Sequence, residues 1–178
     1  MKWVPVLRPV APADSGFLLQ VYASTRAAEL ALTGWDAATC AAFVRQQFEA
    51  QQVHYLRHWP ASDHSIIQVM AEGQPQPVGR LWVDWRTDAL HVLDITLLPA
   101  WCGQGIGATC LRRLQRSAAG RGLALGIHVE QGNPARHLYD RLGFVPVGTL
   151  QGIHQLMRWQ PEPDAAASNT QEACSEQA

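Results

Sequence analysis

Cysteine is scarce and unpatterned: Cys40, Cys102, Cys110 and Cys174 stand apart, with no Cys-x-x-Cys pair among them. This spacing argues against a disulfide framework and a cysteine-built metal site, and it fits a reducing compartment. Charge is sparse too, with charged residues at 16% of the chain and a formal net charge of -1. Residues 161–178 carry Glu162, Asp164, Glu172 and Glu176 but neither lysine nor arginine. Setting those aside leaves 11 of the 15 acidic residues against 14 basic ones. So small an excess gives no argument for nucleic acid or an anionic membrane surface as partner, since either needs a dense basic stripe, and neither is expected. Long apolar runs are also missing. No stretch reaches the roughly 18 residues of a membrane-crossing helix, and residues 1–14 lack the apolar core of a secretion signal. The expected location is therefore the cytoplasm.

What is present suits a folded domain. The chain has 178 residues, 47% of them hydrophobic, which is enough to bury one core. The expected domain covers residues 1–160. From there to residue 178 the chain is Pro, Ala, Ser, Glu and Gln with little to bury, and it reads as a disordered tail. Within the domain, residues 3–8 are apolar and stop at Pro9, as a strand would. Phe17, Leu18, Val21 and Tyr22 repeat at helical spacing in a helix that starts at Asp14 or Ser15 and stops near Gly34. A second helix is expected over residues 36–53, burying Phe43, Val44 and Phe48. Strands follow at 65–72, 78–85 and 90–98, joined by short turns that require antiparallel hairpins. A glycine-rich turn then opens a helix running to about Arg121, followed by a strand at 123–129 in parallel pairing. Asn133-Pro134 opens a last helix closed by Gly143, and residues 144–150 and 153–159 form a hairpin around Gln151-Gly152.

The turn at Gly103, Gly105 and Gly107 is the segment richest in chemistry. Glycines let the backbone approach a ligand, and the helix that begins here aims unpaired N–H groups and its positive dipole end at the same point. The result is an anion site suited to a diphosphate. Two ligands compete for it. Gly103-x-Gly105-x-x-Ala108 matches a dinucleotide fingerprint, with Glu130 placed to hold a ribose. Against this, residues 99–102 separate the turn from its strand, and too little chain follows Glu130 for the second half of a dinucleotide fold.

The stretch Asp94-Ile95-Thr96-Leu97-Leu98-Pro99-x-Trp101-x-Gly103-Gln104-Gly105-Ile106-Gly107 resembles the diphosphate motif of the GNAT-type N-acetyltransferase superfamily. Asn133-Pro134-Ala135-x-x-x-Leu138-Tyr139-x-x-Leu142-Gly143-Phe144 is similar to that family's second motif. The resemblance covers nearly the whole chain before the tail. It implies an α/β fold of mixed topology, a twisted, mostly antiparallel sheet of six or seven strands with helices on both faces. It also implies acetyl-CoA as cosubstrate, no metal, an amine acceptor that is a small molecule or a protein, and a possible homodimer. The family's Arg or Gln is replaced by Cys102, so that some affinity for the diphosphate is either lost or supplied by Arg112 or Arg113, while the backbone cradle does not depend on it.

By the same resemblance, strand 90–98 splays from strand 123–129 and pantetheine enters the gap. Backbone groups of Ile95, Thr96 and Leu97 would pair with it, while Gly103, Gln104, Gly105, Ile106, Gly107 and Ala108 hold the diphosphate and Asn133 contacts the cofactor. Tyr139, at the edge of the stripe Ala135, Leu138 and Leu142, is the candidate general acid; the competing reading is packing at a core margin. Asp94, flanked by Val92, Leu93, Ile95 and Leu97, is the candidate base, directly or through a water, its basicity raised by burial. His91 and His128 are lesser candidates for that role. Trp35, Trp82, Trp85 and Trp101 would line an acceptor pocket or else pack, and Glu29 and Asp36 would greet a cationic amine or else face solvent. Two other functions stay open: a non-catalytic acyl-CoA-binding module and a nicotinamide-dependent oxidoreductase.

Overall fold

The computed structural model describes residues 3–130, 132–150 and 154–162. The expected turn at Gln151-Gly152 and residues 163–178 of the expected tail lie outside the described residues. Strands β1 (Val6–Pro9), β2 (Asp63–Ala71), β3 (Gln74–Trp85), β4 (Ala89–Leu97), β5 (Ala124–Glu130), β6 (Val145–Leu150) and β7 (His154–Trp159) form one sheet in the order β1-β2-β3-β4-β5-β7-β6. Every neighbouring pair is antiparallel except β4 with β5. The mixed, mostly antiparallel sheet is the expected one. Its single parallel pair removes the architectural basis of the dinucleotide reading, which needs successive parallel βαβ units.

Helices α1 (Ser15–Leu30) and α2 (Ala37–His58) cover one face. They bury Leu18, Tyr22, Val44 and Phe48 against Ile66 of β2. Asp36 starts α2 by accepting a hydrogen bond from the Thr39 amide at 2.7 Å, so its carboxylate is a cap rather than an acceptor ligand. Helix α2 runs past Val53 to His58, because Tyr55 in its last turns packs edge-on against Trp82, ring centroids 4.9 Å apart. Helices α3 (Ile106–Ala119) and α4 (Arg136–Arg141) cover the other face. There Ile106, Leu111 and Leu114 join Leu125, Ile127 and Phe144 in the larger core. The side-chain amide of Gln115 donates to the Leu142 carbonyl at 2.7 Å, tying α3 to the end of α4.

Two departures from the expected elements have local causes. Strand β3 begins at Gln74 rather than Val78, because Glu72 (φ 50) and Gly73 (φ 77) both take left-handed backbone and close a tight turn. Pro75 and Pro77 are tolerated because β4 pairs with β3 only from Gly79 onward, leaving their nitrogens on an unpaired edge. The second departure positions the site. In the β3–β4 ladder Trp82 faces Asp94 and Val83 faces Val92, so Leu93 is an extra residue. Pairing of β4 with β5 stops at Val92 and Ile127, just before this bulge. The sheet therefore opens between residues 93–97 and residues 128–130.

Candidate active site

The bulge also decides which way β4 side chains point. Simple alternation would place Asp94 on the face of Leu90 and Val92, which belong to the larger core. The extra residue reverses this, so Ile95 and Leu97 pack toward that core, while Asp94 and Thr96 face the side of α1 and α2. Asp94 is partly buried, its side chain 12% exposed, and among polar partners rather than apolar ones. One carboxylate oxygen meets the guanidinium of Arg80, and the other accepts a hydrogen bond from the Thr96 hydroxyl at 2.6 Å. Arg80 is 1% exposed, also donates to Gln51 Oε1 at 2.8 Å, and stands over the Tyr22 ring.

On the α3 side of the opening lies a groove of about 620 Å³. The sequence-expected Ile95, Leu97, Gly103, Gly105, Ile106, Gly107, Ala108 and Asn133 all line it. Gly103 (φ 72) and Gly105 (φ 81) hold left-handed backbone, and a Cβ built on either meets nothing within 4 Å, so the turn is open rather than folded onto itself. Gly105 caps α3 without a side-chain hydrogen bond. Among the described residues the amides of 103–108 have no acceptor, whereas the Thr109 amide closes the first helical bond to Gly105. Unpaired donors at a helix start, with space before them, fit a diphosphate.

Two of the expected residues turn their side chains away from the groove. Gln104 is absent from the groove wall; its side chain accepts from the Trp3 indole and donates to the Ala100 carbonyl, both at 2.6 Å, and so braces the turn from behind. Thr96 faces the opposite side beside Asp94. Cys102 lines the groove, its thiol turned to the carbonyls of Leu97 and Leu98. Arg113 does not compensate for it, because its guanidinium bonds the Pro5 carbonyl. The cation on the wall is Arg141 from the last turn of α4, which sequence reasoning missed. Its placement in a C-terminal helical turn has an ordinary reading as a dipole partner, which hid it. Asn133 accepts from the Ala135 amide at 2.9 Å and shapes the turn ahead of α4; that helix begins only at Arg136.

On the other side of the opening is a polar cavity of about 340 Å³. Asp94, Thr96, Glu130, Asn133 and Tyr139 line it together with Thr25, Arg26 and Glu29 from α1. Tyr139 reaches both the groove and the cavity. It is 5% exposed, and its hydroxyl makes no hydrogen bond among the described residues. Burial, with the charge of Asp94 adding to it, pushes its pKa up to about 12, so it holds its proton at neutral pH. His128 borders the cavity and is held below the usual imidazole range by burial and by nearby His154. His91 packs across Gly126 on the paired part of β4, away from both spaces. The tryptophans line neither of these spaces. Trp82 is buried and donates to Ser62, Trp85 donates to Asp63, Trp101 meets Trp3 and Trp35 meets Phe43. Among the described residues no cluster of metal-ligating side chains occurs, and no helix is long and apolar enough to cross a membrane.

The comparisons agree with this geometry. The model of the acetyltransferase (GNAT) family matches residues 32–144. No curated protein sequence matches significantly. Among solved structures, the chain is similar to the PaiA N-acetyltransferase of Thermoplasma acidophilum in complex with coenzyme A, at TM-score 0.65 and 14% identity over 89% of this chain and 99% of that one. It is also similar to an acetyltransferase of Thermus thermophilus, at TM-score 0.61 and 22% identity over 89% and 97%. A third likeness is to a chimera of the spermidine N-acetyltransferase SpeG from Vibrio cholerae with hSSAT, at TM-score 0.58 and 21% identity over 88% and 95%. At these identities the structural likenesses speak for the fold. With the family model spanning most of the chain and both motifs set around one opening in the sheet, the protein belongs to the acetyltransferase (GNAT) family and is an N-acetyltransferase.

Proposed function

We propose that this enzyme transfers the acetyl group of acetyl-CoA to an amine by direct attack on the thioester. The observation that carries this reading is the pairing of open, unpartnered amides at 103–108 with an unpaired β4 edge at 93–97. The first suits a diphosphate. The second offers main-chain groups to an extended amide chain, as an added strand would find them. Gly103, Gly105, Ile106, Gly107 and Ala108 grip the diphosphate, Gln104 through its backbone only. Ile95, Thr96 and Leu97 align the pantetheine arm by main-chain bonds, with an amide near Leu97 facing the acyl oxygen. Asn133 and Arg141 close the groove.

The cosubstrate supplies an activated acyl carbon, and the protein moves two protons around it. The acceptor nitrogen bonds to that carbon, the carbon–sulfur bond breaks, and the electron pair leaves with sulfur. Asp94 takes the amine proton through a water, held in place by Arg80 and Thr96. Tyr139, protonated and reaching both spaces, gives its proton to the sulfur. Acetyl-CoA raises the melting temperature under this reading and NAD does not. Tyr139→Phe lowers turnover by roughly a hundredfold, the range of a lost general acid, with little change in acetyl-CoA affinity. Full turnover in that variant, measured by free-thiol release, removes Tyr139 from the mechanism. Stabilisation by acetyl-CoA with no thiol release from any amine removes catalysis from it.

A further inference from the structure

The polar cavity has features that bear on the acceptor. Its volume, about 340 Å³, lies at the small end of the range of roughly 300–1,000 Å³ for ligand pockets. Its charged lining is one-sided: Glu29, Asp94 and Glu130 stand against Arg26 alone. These acids are not equally committed. Asp94 is matched from behind by Arg80, and Glu29 meets Arg26 at 2.5 Å with its own side chain half exposed. Glu130 makes no ion pair among the described residues, and His128 beside it is held toward its neutral form. The buried Tyr139, its hydroxyl unpartnered, lines the same cavity and marks the reacting end. The ring is buried while the hydroxyl oxygen opens into the cavity, where a ligand can take its hydrogen bond.

From this we infer that the acceptor is a small diamine: one amine reaches Tyr139 and Asp94, while a second ammonium stays charged against Glu130 and Glu29. The inference rests on the transferase reading above and names the substrate class of that site. The nitrogen that attacks must lose its proton, so it cannot keep a lasting ionic bond to a carboxylate. The second nitrogen can. A carboxylate at the far end would instead have to compete with Glu29 for Arg26 and would face Glu130 unfavourably.

Three acceptors of equal length separate the possibilities: 1,4-diaminobutane, n-butylamine and γ-aminobutyrate, compared by kcat/KM from free-thiol release. The diamine is expected to exceed butylamine by roughly tenfold or more, the worth of one charge-assisted bond, and γ-aminobutyrate to be poorest. Glu130→Gln, and separately Glu29→Gln, shrink the diamine-to-butylamine ratio, while calorimetry with acetyl-CoA verifies that each variant is folded. Equal rates for diamine and butylamine, a preference for γ-aminobutyrate, or a ratio untouched in both variants overturns the diamine assignment and leaves acetyl transfer standing. No thiol release with any of the three, in protein that still binds acetyl-CoA, counts against the transferase reading itself and takes this inference with it.

Discussion

On the α3 side of the opened sheet, Leu97, Ile106, Leu111 and Leu138 surround bare backbone amides, whereas on the α1 side Thr25, Glu29, Asp94 and Glu130 present side-chain oxygens. The first space is built from main chain and apolar contacts, the second from polar side chains drawn from α1, β4 and β5. Main-chain recognition suits a ligand that is always the same, because any sequence that keeps the turn open keeps the site. Side-chain recognition suits a ligand that differs between enzymes of one fold, because a few substitutions change it. Tyr139 stands where the two meet, which is where an acyl group passes from one ligand to the other.

The comparison can be broken from either side. The largest effect is expected from Arg80→Met, which removes the buried cation and leaves the partly buried Asp94 without it; losing one partner of such a pair costs about 3 kcal/mol, read by urea unfolding. If stability holds, Arg80 is not what fixes the polar side. Next is Gly79→Ala on the main-chain side. A Cβ there would fall 2.3 Å from the Thr96 carbonyl oxygen, so β4 must shift. Overpacking of this kind costs about 2 kcal/mol, and weaker acetyl-CoA binding should accompany it, because the displaced strand carries Leu97. Gly105→Val is milder for folding. Its φ of 81 strains a β-branched residue by about 1–2 kcal/mol, yet the new side chain points into open groove and should weaken acetyl-CoA roughly tenfold in calorimetry. An unchanged dissociation constant would show that the cradle is not used.

The smallest expected effect concerns pH and the core beside the polar cavity. His64 stacks on Trp82 at 3.9 Å, and burial lowers its pKa to about 4. Between pH 6.5 and 4 the unfolded chain takes up a proton that the stacked ring refuses, so stability falls as pH drops through this window. The melting temperature of His64→Phe should fall less over the same range than that of the parent chain. Parallel curves would assign the acid sensitivity to other groups.

How much was legible follows from the same contrast. Gly103, Gly105 and Gly107 announce an open turn because glycine's backbone freedom is local, and Asn133-Pro134 announces the entry to α4 for the same reason. Tyr139 was legible as a helix-edge residue near an apolar stripe. The bulge at Leu93 was not, because nothing in a run of apolar strand residues marks the extra one. Misreading it placed Asp94 among apolar neighbours, when the flipped register hands it to Arg80 and Thr96. Arg141 escaped notice as a groove wall, since it looks like an ordinary solvent-facing charge in one dimension, and Glu130 was legible only as a ribose ligand in the dinucleotide reading, not as a wall of the polar cavity.

By itself, then, the chain determined what short-range stereochemistry can encode: the order of helices and strands, the left-handed glycine turn and the helix start that leaves its amides bare. Only the tertiary structure decided where β4 parts from β5, which face Asp94 takes and which charges gather around Tyr139. Those outcomes depend on cross-strand register, on contacts between residues far apart in sequence such as Arg80 with Gln51, and on the gathering of Glu29 and Glu130 around one cavity. Register is a property of two strands at once, so no single segment can carry it.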